Sequence, residues 1–211
     1  MTDADDEFEV TLEEMMKARD RRAAKQRQLL LTHSLPLISM TVNIPGSRKS
    51  TLMSRRIFRE GYDALLERLA GTDMKPVFKQ IDDLITGPEG YIIVNADERI
   101  LKQFAVQIET IHPLGRLLDI DVLGRAGQPL SRSDLGYPRR KCLLCMQDAH
   151  ICGRSKAHSV NKLLYAIRSI ADAYFQAECG SRVDIRCGKT IKEVGKRKGS
   201  MSIDENAEDG N

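Results

Sequence analysis

What most limits the fold of this chain is the order in which two hydrophobic periodicities follow one another. Residues 37–43 alternate strictly, with Ile38, Met40 and Val42 on one side and Ser39, Thr41 and Asn43 on the other, the pattern of a strand with one buried face. After the break at residues 44–49, Ser50 or Thr51 can cap a helix over 52–71, whose stripe includes Leu52, Ile57, Tyr62, Leu65, Leu66 and Leu69. Residues 76–85 and 90–95 read as two strands joined by a Gly/Pro turn. Asp97 then caps a helix that carries Ile100, Phe104, Val106 and Ile108 and ends at Pro113 and Gly115, and residues 116–123 return as a strand. Strand, helix, strand, strand, helix, strand is the split arrangement of an α+β, ferredoxin-like βαββαβ fold, in which the last strand lies antiparallel beside the first.

The flanks follow other rules. Residues 11–32 place Leu12, Met15, Met16, Ala18, Ala23, Ala24, Leu29 and Leu30 at helical spacing among many charges, which predicts a long, mostly exposed helix. Residues 124–156 show little periodicity. A helix over 157–178 carries a strong apolar stripe (Val160, Leu163, Leu164, Ile167, Ile170, Ala171), and the sheet face left open by the two core helices is its expected partner. This divides the 211 residues into an acidic start and exposed helix at 1–34, a functional domain at 35–178 and a disordered tail at 179–211. No apolar run reaches the roughly 18 residues of a spanning helix, and the first residues are acidic, so a soluble cytoplasmic protein is expected. Five cysteines, an odd number, argue for thiols that are buried, metal-bound or reactive rather than for a disulfide framework.

Net charge is +3, but eleven acids and no bases occupy residues 1–14 and 201–211, which leaves residues 15–200 at +14. A body this basic suits an anionic partner: a phosphorylated small molecule, a nucleic acid or an acidic protein. Aromatic residues make up only 5% of the chain, so stacking platforms are scarce and nucleic acid is disfavoured.

Two constellations could carry chemistry. Asp119 and Asp121 are two apart in the last strand and share one face, beside the polar side of the first strand; like charges so placed call for a cation. With Gly46, Arg48 and Lys49 in the turn after the first strand, they outline a site for Mg²⁺ and substrate phosphates. Solvated acids paired with Arg116 and Arg132 are the plainer reading. The second constellation is Cys142, Cys145, His150 and Cys152, with His158 beyond. Its Cys-x2-Cys-x4-His start resembles a zinc knuckle whose fourth ligand is missing, so Cys152 or His158 would have to complete a zinc site; a metal-free loop with packed thiols is favoured here. Around it lie Arg132, Arg139, Arg140, Lys141, Arg154 and Lys156, forks and points of charge suited to a polyphosphate.

Residues 37–46, 115–122, 131–145 and 149–155, with His158, resemble the citrate lyase holo-acyl-carrier-protein synthase family, also called the apo-citrate lyase phosphoribosyl-dephospho-CoA transferases. The likeness runs from about residue 35 to about 178 and is most specific over 115–158. Two departures stand out: Ser47-Arg48 occupies the place of a second proline, and the Lys-rich tail lies outside the pattern. The resemblance implies a nucleotidyltransferase-type reaction. A serine of the acyl-carrier (gamma) subunit of apo-citrate lyase attacks the innermost phosphorus of 2′-(5″-triphosphoribosyl)-3′-dephospho-CoA, and diphosphate leaves. In that scheme Asp119 and Asp121 hold Mg²⁺ and His150 takes the serine proton. Gly46, Arg48, Lys49, Arg116, Arg132, Arg139, Arg140, Arg154 and His158 bind the substrate. Two rival readings are a zinc-dependent RNA-binding module and a scaffold that only holds the carrier subunit.

Overall fold

The computed structural model describes residues 8–181. Helix α1 (Leu12–His33) leads into strand β1 (Leu37–Val42), followed by α2 (Leu52–Ala70), β2 (Pro76–Asp82), β3 (Glu89–Val94), α3 (Glu98–Ile111) and β4 (Leu118–Leu123). A two-residue strand β5 (Pro129–Leu130), the short helix α4 (Ala149–Ser155) and the long α5 (Val160–Ser181) complete it. The fold is α+β. All five strands pair antiparallel in the order β2-β3-β1-β4-β5, with Ser39 opposite Asp121 and Thr41 opposite Asp119.

Local chemistry sets the boundaries. Thr11 and Glu14 form a capping box at the start of α1, Thr51 and Ser54 do the same for α2, and the Asp97 carboxylate accepts from the Arg99 and Ile100 amides. The alternation in β1 and β4 sends Ile38, Met40, Leu118, Ile120 and Val122 into one core with Ile57, Phe58 and Leu65 of α2 and Leu101, Ala105 and Ile108 of α3. Gly61 lets α2 approach closely, since a Cβ there would stand 2.5 Å from a Leu118 methyl.

The layers outside this core differ from expectation. The opposite face of the sheet is covered by α1, not by α5. Leu29 and Leu30 pack on Leu37, Tyr91 and Ile93, Arg22 donates to Glu89 at 3.0 Å, and Gln26 donates to Ser39 at 3.0 Å. Glu89 is buried and also accepts from the Tyr91 hydroxyl at 2.6 Å. Half of that face is polar, so it accepts a helix with a polar stripe. The apolar stripe of α5 finds better partners at the rim of the main core, where Ile167 and Ala171 join Ile44, Leu114 and Leu117 and the Tyr174 hydroxyl donates to Glu60 at 3.2 Å. Residues 124–156 are not structureless, because β5, a single 3-10 turn at Ser133–Leu135 and α4 lie within them. Beyond Ser181 the expected tail, like residues 1–7 of the acidic start, lies outside the described residues.

Candidate active site

The carboxylate pair projects from β4 beside Thr41 and Ser39, on the half of the face next to the one α1 covers. Asp119 stays open to solvent, its side chain 54% exposed. Asp121 also reaches solvent, yet protein crowds it on most sides. That crowding, and then the charge of Asp119, raise its pKa above the usual carboxylate value.

The strand that carries the pair is held by side chains. Even-numbered residues of β4 turn their amides and carbonyls away from β1, and β5 pairs only with Val122 and Leu123. The remaining groups are met from elsewhere: Glu109 accepts from the Ile120 amide at 2.9 Å, Lys102 donates to the Ile120 carbonyl at 3.1 Å, and Arg140 donates to the Leu118 carbonyl at 2.7 Å. Glu109 is also ion-paired with Arg132 and lies 3.6 Å from Arg140, whose other approach, at 3.4 Å, is to Asp119. The sequence reading missed Lys102 and Glu109. Their signal was present, for two opposite charges seven residues apart fall on one helical face, here beside Ala105 of the core stripe.

Two clefts flank the turn after β1 and meet at Pro45 and Val160. The first, about 660 Å³, is lined by Gly46, Arg48, Arg56 and Arg168 among others. Gly46 has φ +85, a left-handed conformation suited to glycine, and a Cβ there would press on Val160 at 3.2 Å. Arg48 also faces Glu9 at 3.5 Å. The second cleft, about 590 Å³, is lined by Asn43, Arg116, Arg140, Lys141, Lys156 and His158. Burial, and then the guanidinium charges of Arg140 and Arg132, lower the Arg116 pKa, so a polyanion in this cleft would relieve repulsion already present. Arg140 spans both regions, lining the cleft while reaching Asp119.

Several expected residues fall elsewhere. The Lys49 ammonium is turned into its own loop onto the Ile44 carbonyl, and burial lowers its pKa. Arg132 is committed to Glu109. Arg139 and Arg154 are exposed and line neither cleft.

His150 is exposed and stands apart from the cysteines. The cause is helical geometry. Cys152 faces inward from α4, and residues two earlier or two later point about 200° away, which turns His150 and Arg154 outward. His158 takes the fourth place instead: the ligand atoms of Cys142, Cys145, Cys152 and His158 all lie within 4.8 Å of one another.

Among the described residues no helix is long and apolar enough to cross a membrane. The sequence profile of the family described as apo-citrate lyase phosphoribosyl-dephospho-CoA transferase matches residues 10–174. A probable apo-citrate lyase phosphoribosyl-dephospho-CoA transferase of Vibrio cholerae serotype O1 is 38% identical over 169 residues, covering 80% of this chain and 95% of the relative. The apo-citrate lyase phosphoribosyl-dephospho-CoA transferase of Escherichia coli O1:K1 is 40% identical over 163 residues, covering 76% and 88%. A Shigella boydii relative of the same description is 40% identical over 161 residues, with the same coverage. A profile match across most of the chain, and relatives at 38–40% identity aligned over 76–80% of it, identify this chain as a member of the apo-citrate lyase phosphoribosyl-dephospho-CoA transferase family.

Proposed function

We propose that this protein transfers the phosphoribosyl-dephospho-CoA group from 2′-(5″-triphosphoribosyl)-3′-dephospho-CoA to a serine of the apo acyl-carrier subunit of citrate lyase, with release of diphosphate. The family match carries this reading. In the reaction the serine hydroxyl gives its proton to solvent as its oxygen bonds to the innermost phosphorus, the bond from that phosphorus to the bridging oxygen breaks, and diphosphate departs with the electron pair. Three phosphates and a developing diphosphate need fixed positive charge. Arg116, Arg140, Lys141 and Lys156 around one cleft supply it, with Arg48, Arg56 and Arg168 in the adjoining one. The +14 body favours an acidic carrier protein as the acceptor.

Asp119 and Asp121 fit a divalent cation, because two carboxylates on one strand face, one with a raised pKa, ionise together most easily when a cation lies between them. Bound there, Mg²⁺ would neutralise phosphate charge. Arg140 would orient Asp119 from one side, and Glu109 would hold Arg140 and Arg132 in place. The strand order and the all-antiparallel pairing support reading residues 35–178 as a ferredoxin-like catalytic domain.

The test is to incubate the purified chain with apo carrier subunit, the triphosphoribosyl precursor and Mg²⁺, and to read intact mass. Transfer appears as one prosthetic-group increment on the carrier, with diphosphate in equal amount. A carrier that binds but never gains mass would make this protein a scaffold.

A further inference from the structure

Between residues 131 and 159 only Cys142 and Cys152 are buried. Met146 is 82% exposed and Ile151 48%, so the segment that brings Arg140, Lys141 and Lys156 to their cleft has almost no apolar core of its own. Segments this poor in buried area are held by a staple.

We propose that Cys142, Cys145, Cys152 and His158 form a structural zinc site that fastens the 139–158 segment to the start of α5. A tetrahedral zinc with sulfur at about 2.3 Å and nitrogen at about 2.0 Å separates its ligands by roughly 3.5–3.8 Å. Here Cys145 Sγ lies 3.5 Å from Cys152 Sγ and 3.3 Å from His158 Nε2, and no pair among the four exceeds 4.8 Å. The loop is shaped to present thiolates. The Cys142 amide donates to the Gln147 carbonyl at 2.7 Å, closing a tight turn, and the Leu144 amide points at Cys142 Sγ at 3.5 Å, where an N–H stabilises sulfur charge.

Three sulfurs and one imidazole are soft and borderline donors, which select zinc over magnesium. With four protein ligands, two of them buried, no position is left open for substrate, so the role is structural. Each thiol gives its proton to solvent on binding. A disulfide would need sulfurs about 2.05 Å apart and would leave the third thiol and the imidazole without a purpose.

The experiment is metal analysis of the full chain, purified without chelators or a histidine tag, followed by cobalt exchange. One zinc per chain is expected, and cobalt in its place should give the intense visible bands of tetrahedral thiolate coordination. Cys145→Ser and His158→Ala should fall below about a tenth of an equivalent, whereas His150→Ala keeps the full complement. Wild-type protein with reduced thiols that neither contains zinc nor takes it up would overturn the site, as would metal loss in His150→Ala but not in His158→Ala. A mass two daltons low, marking a Cys145–Cys152 disulfide, would overturn it too. Should the variants fail to fold, the wild-type stoichiometry and cobalt spectrum still decide. Neither reads turnover, so zinc and transferase activity succeed or fail separately.

Discussion

Replacing Glu109 with alanine tests whether the carboxylate strand is held as described. Its side chain is 3% exposed and serves three partners: Arg132, Arg140 and the Ile120 amide. Breaking a buried ion pair from one side costs about 3–5 kcal/mol, and an orphaned buried amide about 1–3 kcal/mol. These do not add in full. The Arg132 and Arg140 side chains remain 17% and 22% exposed, so water reaches the charges that Glu109 would abandon. We therefore expect a loss of about 3 kcal/mol, which lowers the melting temperature of a domain this size by roughly 6–12 °C. Glu109→Gln keeps an acceptor for the amide and should lose about half as much. Calorimetry or circular dichroism melts, with urea titration to verify an unchanged m-value, read both. Glu109→Ala melting within about 2 °C of wild type would show that the strand edge does not depend on this carboxylate.

Asp119→Asn and Asp121→Asn should each lower transfer by about a hundredfold or more while the protein stays folded; near-normal turnover in a folded Asp121→Asn protein would remove the pair from the reaction. Because the native Asp121 pKa lies above its unfolded value, the folded protein binds more protons between the two, and this group's contribution to stability falls as pH rises through that window. Without divalent cations, Asp121→Asn should thus gain melting temperature over wild type as pH goes from acid to neutral, and a flat or declining difference contradicts the assignment. Lys141→Ala and Lys156→Ala, at the second cleft, should raise KM for the triphosphoribosyl precursor by about tenfold, and Arg139→Ala, outside it, much less; equal effects in steady-state kinetics would mean that the cleft does not select the phosphates.

Most of the core elements were legible because they carry a periodic apolar face, although β3 and the first four residues of β1 are buried on both sides. Strict alternation marked β1 and β4, and the stripes of α2, α3 and α5 marked the helices to within a few residues. The placement of α1 and α5 was not legible, since periodicity tells which face of a helix is apolar but not what covers it. The inner stripe of α1, with Ala18, Arg22 and Gln26, reads as solvent-facing because its partner surface holds Ser39 and Glu89. The carboxylate pair was visible from its spacing, whereas Glu109 and Lys102 were not, because charged residues on a helix ordinarily face solvent and these two are buried. In the cysteine loop the ligand types were readable, but choosing His158 over His150 needed the direction of α4, a seven-residue helix that no periodicity announced.

The side chains that complete β4 also close a door. Unpaired amides and carbonyls along a sheet margin invite a foreign strand, the route to runaway self-association and to partner capture by strand addition. At Leu118 and Ile120 those groups are already taken by Arg140, Glu109 and Lys102. The margins that remain among the described residues are that of β2, which begins at a proline and carries Lys79 and Asp82, and that of β5, which is only two residues long and also begins at a proline. A foreign strand is thus kept from pairing at Leu118 and Ile120, and whatever approaches the two carboxylates from that side meets side chains and charge rather than a free backbone.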